Sequence, residues 1–222
     1  MGYGRPYRAS LEPATGDELG SKKKSPRAAE PDTASGRLQR AEWRERTSRI
    51  GPNRLILLDE SGVRTDRTRH GGRGPRGQRV REAVLAGHWR TLTILGAVRR
   101  GGSVAARTAE AATDGDIFLA YPDQVLCPRL RRGDVVVMDN WAAHQVAGVR
   151  ERIEAAGVAV LYLPPYAPDF HPLEPCWAQG KQRLRAAKAR SLSTLEPCPG
   201  QALAAVTPQA VQGCFRHCGY GL

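Results

Sequence analysis

LILLDES, residues Leu55–Ser61, sets four apolar side chains in a row between Arg54 and the acids Asp59 and Glu60. A short apolar run bounded by polar residues is the pattern of a strand buried on both faces. The same design recurs in DVVVMDN, Asp134–Asn140, and a third apolar run, VAVLYL, spans Val158–Leu163. Between the first two, HWRTLTILGAV (His88–Val98) alternates and is rich in β-branched residues. Ser103–Ala109 can pair with it across the Arg99–Gly102 turn, which makes a hairpin. Helical spacing covers Asp114–Leu130, divided by Pro122, then Ala142–Ala156, then a basic stretch from Pro172 to about Ala189. The order strand, hairpin, helix, strand, helix, strand, helix predicts an α/β fold with a mixed sheet. Leu192 onward would supply one or two short covering helices.

Around this body, the 222 residues and 24.2 kDa allow one domain of ordinary size and a tail. Residues 1–52 are rich in Gly, Pro, Ser and charge and read as an irregular or disordered leader, with one short helix around Leu38–Arg46. The folded domain is expected over 53–222. The longest apolar run has six residues, against roughly 20 for a membrane-spanning helix, so no membrane segment is expected. The first thirty residues lack the apolar core of a secretory signal, and a cytoplasmic protein is expected.

Charge is distributed unevenly. Lys and Arg number 34 against 22 Asp and Glu, a formal +12. Eleven of the arginines fall between Ser61 and Arg107, with only Asp66 and Glu82 opposing them. A localised arginine field is the footprint of a phosphate-backbone binder, because each neutralised phosphate releases a condensed counterion. Only five of the 34 basic residues are lysine, which an arginine-rich coding bias would also produce.

Five scattered cysteines without a secretion signal do not form a disulfide framework and are read as reduced. Cys214, His217 and Cys218 lack a regularly spaced fourth ligand for zinc, so C-terminal packing is the reading taken. Gly72, Gly74 and Gly77 spell a GxGxxG string, but Pro75 interrupts it and Ala97 stands where a ribose-binding acid belongs, so dinucleotide binding is not supported.

Asp59 and Asp139 each follow a four-residue apolar run, which places each at the C-terminal end of a buried strand. If those strands are parallel neighbours, roughly 4.8 Å apart, both carboxylates project into one crevice at the sheet edge, and the pair calls for a cation. Glu60 points to the opposite face by strand alternation and is left out. In LPPYAPDFHPLEPCW, Leu163–Trp177, Pro172 suits the first helical position and Pro175 still falls in the first turn, so Glu174 lies at the positive end of a helix. Lys181, Arg185 and Lys188 return to the face of Glu174 at helical spacing, while Leu173, Trp177 and Leu184 form the adjoining apolar stripe.

The strings LLDESG, VVVMDNWAAH and LPPYAPDFHPLEPCW resemble the three catalytic blocks of the mariner-like DDE transposases, in particular the insertion sequence 630 type. Between Asp139 and Glu174 lie 34 residues, the separation of that group. The resemblance runs from about Arg54 to Tyr220 and includes PRGQR at Pro75–Arg79 and FRHCGY at Phe215–Tyr220. It implies a ribonuclease H-like fold, a mixed five-stranded sheet flanked by helices. It implies that Asp59, Asp139 and Glu174 are catalytic and hold two Mg²⁺ or Mn²⁺ ions for in-line phosphoryl transfer. Hydrolysis would free a 3′-OH at an element end, and strand transfer would join it to target DNA, at a TA step by the family's habit. Asn140 and His144 match the polar positions flanking the second Asp, and His171 replaces the Asn usual before the Glu; all three are assigned supporting roles. Arg73, Arg76, Arg79, Lys181, Arg185 and Lys188 are assigned to double-stranded DNA. Gly180 stands where the family carries a large apolar residue.

The family places a helix-turn-helix domain ahead of the catalytic blocks, a pattern that residues 1–52 do not show. The resemblance therefore implies a separately encoded helix-turn-helix partner, and a homo-oligomer assembled on DNA. Two rival readings share these residues: an inactive DNA-binding transposase remnant, and a ribonuclease H-like nuclease acting on branched DNA or hybrids.

Overall fold

A computed structural model describes residues 29–65, 73–81, 90–109, 119–140, 148–187, 201, 203 and 205–221. Five strands form one sheet: β1 (Leu55–Arg64), β2 (Thr91–Arg99), β3 (Gly102–Ala109), β4 (Val135–Met138) and β5 (Ala159–Tyr162), in the order β3-β2-β1-β4-β5. The first three run antiparallel, whereas β1, β4 and β5 run parallel. The sheet is therefore mixed, with the expected hairpin on one side and parallel strands on the other.

β1 is buried on both faces, as its apolar run predicts. Leu55, Leu57 and Val63 enter one core with Trp43, Leu92, Ile94, Val98, Val137 and Phe215, while Ile56 and Leu58 enter a second with Leu95, Val136, Met138 and Ile153. Each such side chain, fully buried, contributes about 1.5–3 kcal/mol, so the central strand anchors both layers. The first core is covered by α1 (Ala34–Ser48), α3 (Leu173–Ala187) and α4 (Pro208–His217), and the second by α2 (Val149–Ala155) and the segment around Tyr121 and Leu126.

α1 starts where Thr33 Oγ1 accepts the backbone N–H of Gly36 at 3.0 Å. It is longer than the short helix expected at Leu38–Arg46, and it packs on the first core through Trp43, 5% exposed. The Trp43 indole donates to the Tyr220 hydroxyl at 3.0 Å, which donates to the Phe170 carbonyl at 2.7 Å. Three distant parts of the chain are thereby tied together by satisfied buried polar groups.

The described part of the predicted Asp114–Leu130 helix is α-helical over residues 119–121 and changes character at Pro122, the residue expected to divide it. From there it is a π-helical turn, Pro122–Leu126, continued by a 3₁₀ turn, Cys127–Arg129. Pro122 and Pro128 supply no backbone N–H, which removes two donors from any regular ladder. Of the predicted Ala142–Ala156 helix, the described part begins at Val149, after Gly148 with φ +95°. Cys176, Cys214 and Cys218 are reduced and buried in the first core, consistent with C-terminal packing. Burial is the leading cause that raises the Cys176 thiol and pushes that of Cys218 up to about 12, so neither is a ready nucleophile. Among the described residues no helix is long and apolar enough to cross a membrane.

Candidate active site

Asp59 does not end its strand. β1 continues to Arg64, paired with β2 throughout, so the expectation of a strand terminus at Asp59 is corrected. What ends there is the neighbour: β4 pairs with β1 only from Leu55↔Val135 to Leu57↔Val137, and Asp139 follows directly after its last residue. Extending that register puts Asp59 and Asp139 level on adjacent parallel strands, about 4.8 Å apart. The crevice comes from the shortness of β4 beside a long β1.

Alternation places Asp59 on the face of Leu55 and Leu57, beneath α3. Its carboxylate is buried, 7% exposed, and Oδ2 accepts the Trp177 indole N–H at 3.1 Å. Opposite Asp59 in the antiparallel pairing stands Gly96. A Cβ there would lie 2.7 Å from Cη2 and 2.8 Å from Cζ2 of Trp177, so the indole rests on bare backbone. The glycine leaves room for the ring, and the ring reaches the acid. Sequence periodicity assigned Trp177 to the apolar stripe alone and missed this second role.

Glu174 is the second residue of α3, which begins one residue later than Pro172. The Glu174 N–H donates to the His171 carbonyl at 3.0 Å, closing the turn into the helix. His171 is 3% exposed, and its Nε2 lies 3.3 Å from the Leu58 carbonyl. A carbonyl only accepts, so Nε2 carries the hydrogen. His171 thus links the segment before Glu174 to the strand residue before Asp59.

Asp59, Asp139, Asn140, His171 and Glu174 line one cavity of about 450 Å³, walled by Leu163–Pro168. Tyr166 in that wall is 59% exposed and has φ +53°, an uncommon conformation for a residue with a side chain. A tyrosine between two prolines and an alanine was the available signal for this exposed ring, and sequence reasoning did not single it out. His144 and Lys188 lie outside the described residues. Lys181 and Arg185 are partly buried on α3, while Arg73, Arg76 and Arg79 are exposed on an irregular segment. None of these five basic residues lines the cavity.

Among the described residues no group of three His, Cys, Asp or Glu side chains stands close enough to hold a metal ion as placed, Asp59, Asp139 and Glu174 included. What the cavity offers is three hard carboxylates spread along its lining. That fits Mg²⁺ or Mn²⁺ better than Zn²⁺: Mg²⁺ takes oxygen donors, keeps several waters and is commonly held by one or two carboxylates with substrate phosphates.

Comparison with solved structures finds the fold in the Mos1 transposase. The Mos1 strand transfer complex superposes with TM-score 0.67 at 15% identity, covering 89% of this chain and 63% of that one. The Mos1 paired-end complex with the left transposon end gives 0.68 at 14%, covering 91% and 63%. The isolated Mos1 catalytic domain gives 0.52 at 14%, covering 83% and 92%. The chain thus spans about 63% of the length of the Mos1 chains in the two complexes. The five-stranded mixed sheet with helices on both faces is the ribonuclease H-like fold of that catalytic domain. No curated protein matches significantly in sequence. The family model of the DDE superfamily endonucleases matches residues 54–196, a span that contains all three carboxylates, and the chain belongs to that family.

Proposed function

We propose that this chain is the catalytic portion of a DNA transposase of the insertion sequence 630 type, in which Asp59, Asp139 and Glu174 act as the catalytic carboxylates. The observation that carries the reading is that these acids, drawn from β1, the end of β4 and the start of α3, line one cavity within the family-matched span. Carboxylates gathered in one cavity repel one another unless a cation or protons intervene. Asp59, Asp139 and Glu174 would hold two Mg²⁺ or Mn²⁺ ions, which when bound supply charge neutralisation at the phosphate and a more acidic water. The Mos1 structures include a paired-end complex with Mg and one with Mn, which supports that choice.

The chain's own residues would hold this constellation in place. Trp177 orients the Asp59 carboxylate, and His171 fastens the segment leading to Glu174 against β1. Water would attack the phosphorus at an element end, one P–O bond forming as the bond to the 3′ oxygen breaks, and the freed 3′-OH would then attack a target phosphodiester. Each step exchanges one P–O bond for another, the attacking oxygen giving up a proton and the departing 3′ oxygen taking one up, so that strand transfer is proton-neutral. Similarity to the paired-end complex supports double-stranded DNA as substrate and a homo-oligomer on it.

Nicking of supercoiled plasmid tests the site. The purified chain is expected to nick with Mg²⁺ or Mn²⁺, and to stop in EDTA or as Asp139→Ala. Nicking retained by that variant would contradict the reading. Absence of nicking from folded protein would favour an inactive remnant, and preferential cutting of branched or hybrid substrates a ribonuclease H-like nuclease.

A further inference from the structure

At the edge of the sheet opposite the carboxylates, three segments meet: Asn53 ahead of β1, the β2–β3 turn, and the loop ahead of β4. They enclose a concavity of about 500 Å³ lined by Arg99, Arg129 and Arg131 with Asn53 and Ser103. Arg54, Arg100 and Arg132 adjoin these residues in the chain. The acid placed among them is Asp134, whose Oδ2 accepts Arg99 Nη2 at 2.7 Å and the Arg131 backbone N–H at 2.8 Å. Asp134 therefore fixes Arg99 in place, and among the described residues the guanidiniums of Arg129 and Arg131 have no carboxylate partner. The Nε–H groups of Arg99 and Arg100 are buried and have no acceptor among the described residues. Guanidiniums are donor-only groups whose planar fork matches phosphate oxygens.

We propose that this arginine edge is a second, sequence-independent binding site for the phosphate backbone of nucleic acid, engaging a stretch of DNA other than the one held at the carboxylates. The site offers guanidiniums, a hydroxyl and an amide, with Val104 its one large apolar lining residue and no aromatic ring to stack on a base. Such a composition positions a backbone and reads no sequence. Arg129, Arg131 and Arg132 are exposed and come from a loop that runs beside the turn carrying Ser103, which suits a line of charges better than a single small anion. Duplex DNA presents one charge per ~1.7 Å of axis. β4, with about 13 Å of chain, lies between the two edges, so the arginines do not face the cavity of Asp59, Asp139 and Glu174. The identity of the polyanion as DNA rests on the function proposed for that cavity.

The test is fluorescence anisotropy of a labelled DNA duplex with the full chain in EDTA, over a salt series. Arg129→Ala with Arg131→Ala is expected to reduce the slope of log K against log salt by about 1.8, about 0.9 for each phosphate that is no longer neutralised. Ser103→Glu, which adds an anion at an exposed position, is expected to weaken binding with both arginines present. Unchanged slope and affinity in both variants, with thermal unfolding showing that they are folded, would overturn the proposal. So would displacement of the duplex by inorganic phosphate from the wild type but not from the arginine variant, which would mark a small-anion pocket. Plasmid nicking is a separate readout: a chain that never nicks but shows the arginine-dependent slope loses the catalytic reading and keeps the second site.

Discussion

Asp59 is held by residues that lie far from it in sequence. Its immediate neighbours give it a place on a buried strand; Trp177, 118 positions away, gives its carboxylate a direction. That contact exists because Gly96 stands across the pairing and leaves the indole somewhere to lie. Trp177→Phe keeps an aromatic ring, removes the donor and withdraws the far edge of the indole from Gly96. The expected cost is about 1.5–3 kcal/mol of folding stability, because the bond lost is to a buried carboxylate and the smaller ring leaves a gap. If Asp59 acts as proposed, single-turnover nicking should also fall by about tenfold, equivalent to ~1.4 kcal/mol in the barrier. Thermal unfolding and nicking on the same preparation check this, and undiminished nicking would remove Trp177 from the site. The acids themselves were legible because a carboxylate following an apolar run is a local signal. The tryptophan was not, because its role depends on which β2 residue faces Asp59, a register that no short window encodes.

At the scale of elements, α1 acts on the cavity wall through one turn. Arg40 pairs with Asp169, and its guanidinium lies 4.3 Å from the centre of the Phe170 ring, with Arg44 at 5.1 Å. Pro168–Phe170 is the turn that leads into His171 and Glu174, so α1 clamps the approach to the site from outside. The hydrogen bond to Arg40 is the largest cause holding the Asp169 carboxyl below its ordinary value. A carboxyl depressed in the folded state stabilises above its unfolded value, and that contribution is lost as pH falls through the folded one. Arg40→Ala should therefore be less stable than wild type near neutrality, and the ion-pair part of that loss should be under about 1 kcal/mol because the Asp169 side chain is 55% exposed. The gap should narrow as pH drops below the ordinary carboxylate range. Denaturant unfolding across pH measures it, and a gap that is constant with pH would assign the effect to packing on Phe170. The sequence foreshadowed this helix only in part. Its pattern is weak because Trp43 is its one large buried side chain while Leu38 is 60% exposed. The strands were far easier to see, since burial on both faces forces an unbroken apolar run. The Pro122–Arg129 segment was misread because apolar spacing alone does not separate an α-helix from π and 3₁₀ turns at prolines.

The whole molecule has a long β1 shared by two cores and a short β4 beside it, and that mismatch leaves three carboxylates around one cavity. Such a gathering weakens the apo fold and makes it responsive to cations: a ligand that binds only the folded state stabilises by RT ln(1 + [L]/Kd). At tenfold Kd this is about 1.4 kcal/mol, and for a chain of this size it corresponds to a rise of about 3–6 °C in Tm. Mg²⁺ or Mn²⁺ is therefore expected to raise Tm relative to a sodium chloride control of equal ionic strength. Asp59→Asn with Asp139→Asn should relieve the repulsion, melt at or above the wild-type apo temperature, and lose the metal response. Calorimetry of both proteins with and without the ion reads all of this without DNA and without catalysis. A metal-dependent rise of equal size in the double variant would place the cation elsewhere on the chain and leave the carboxylates without the role proposed for them.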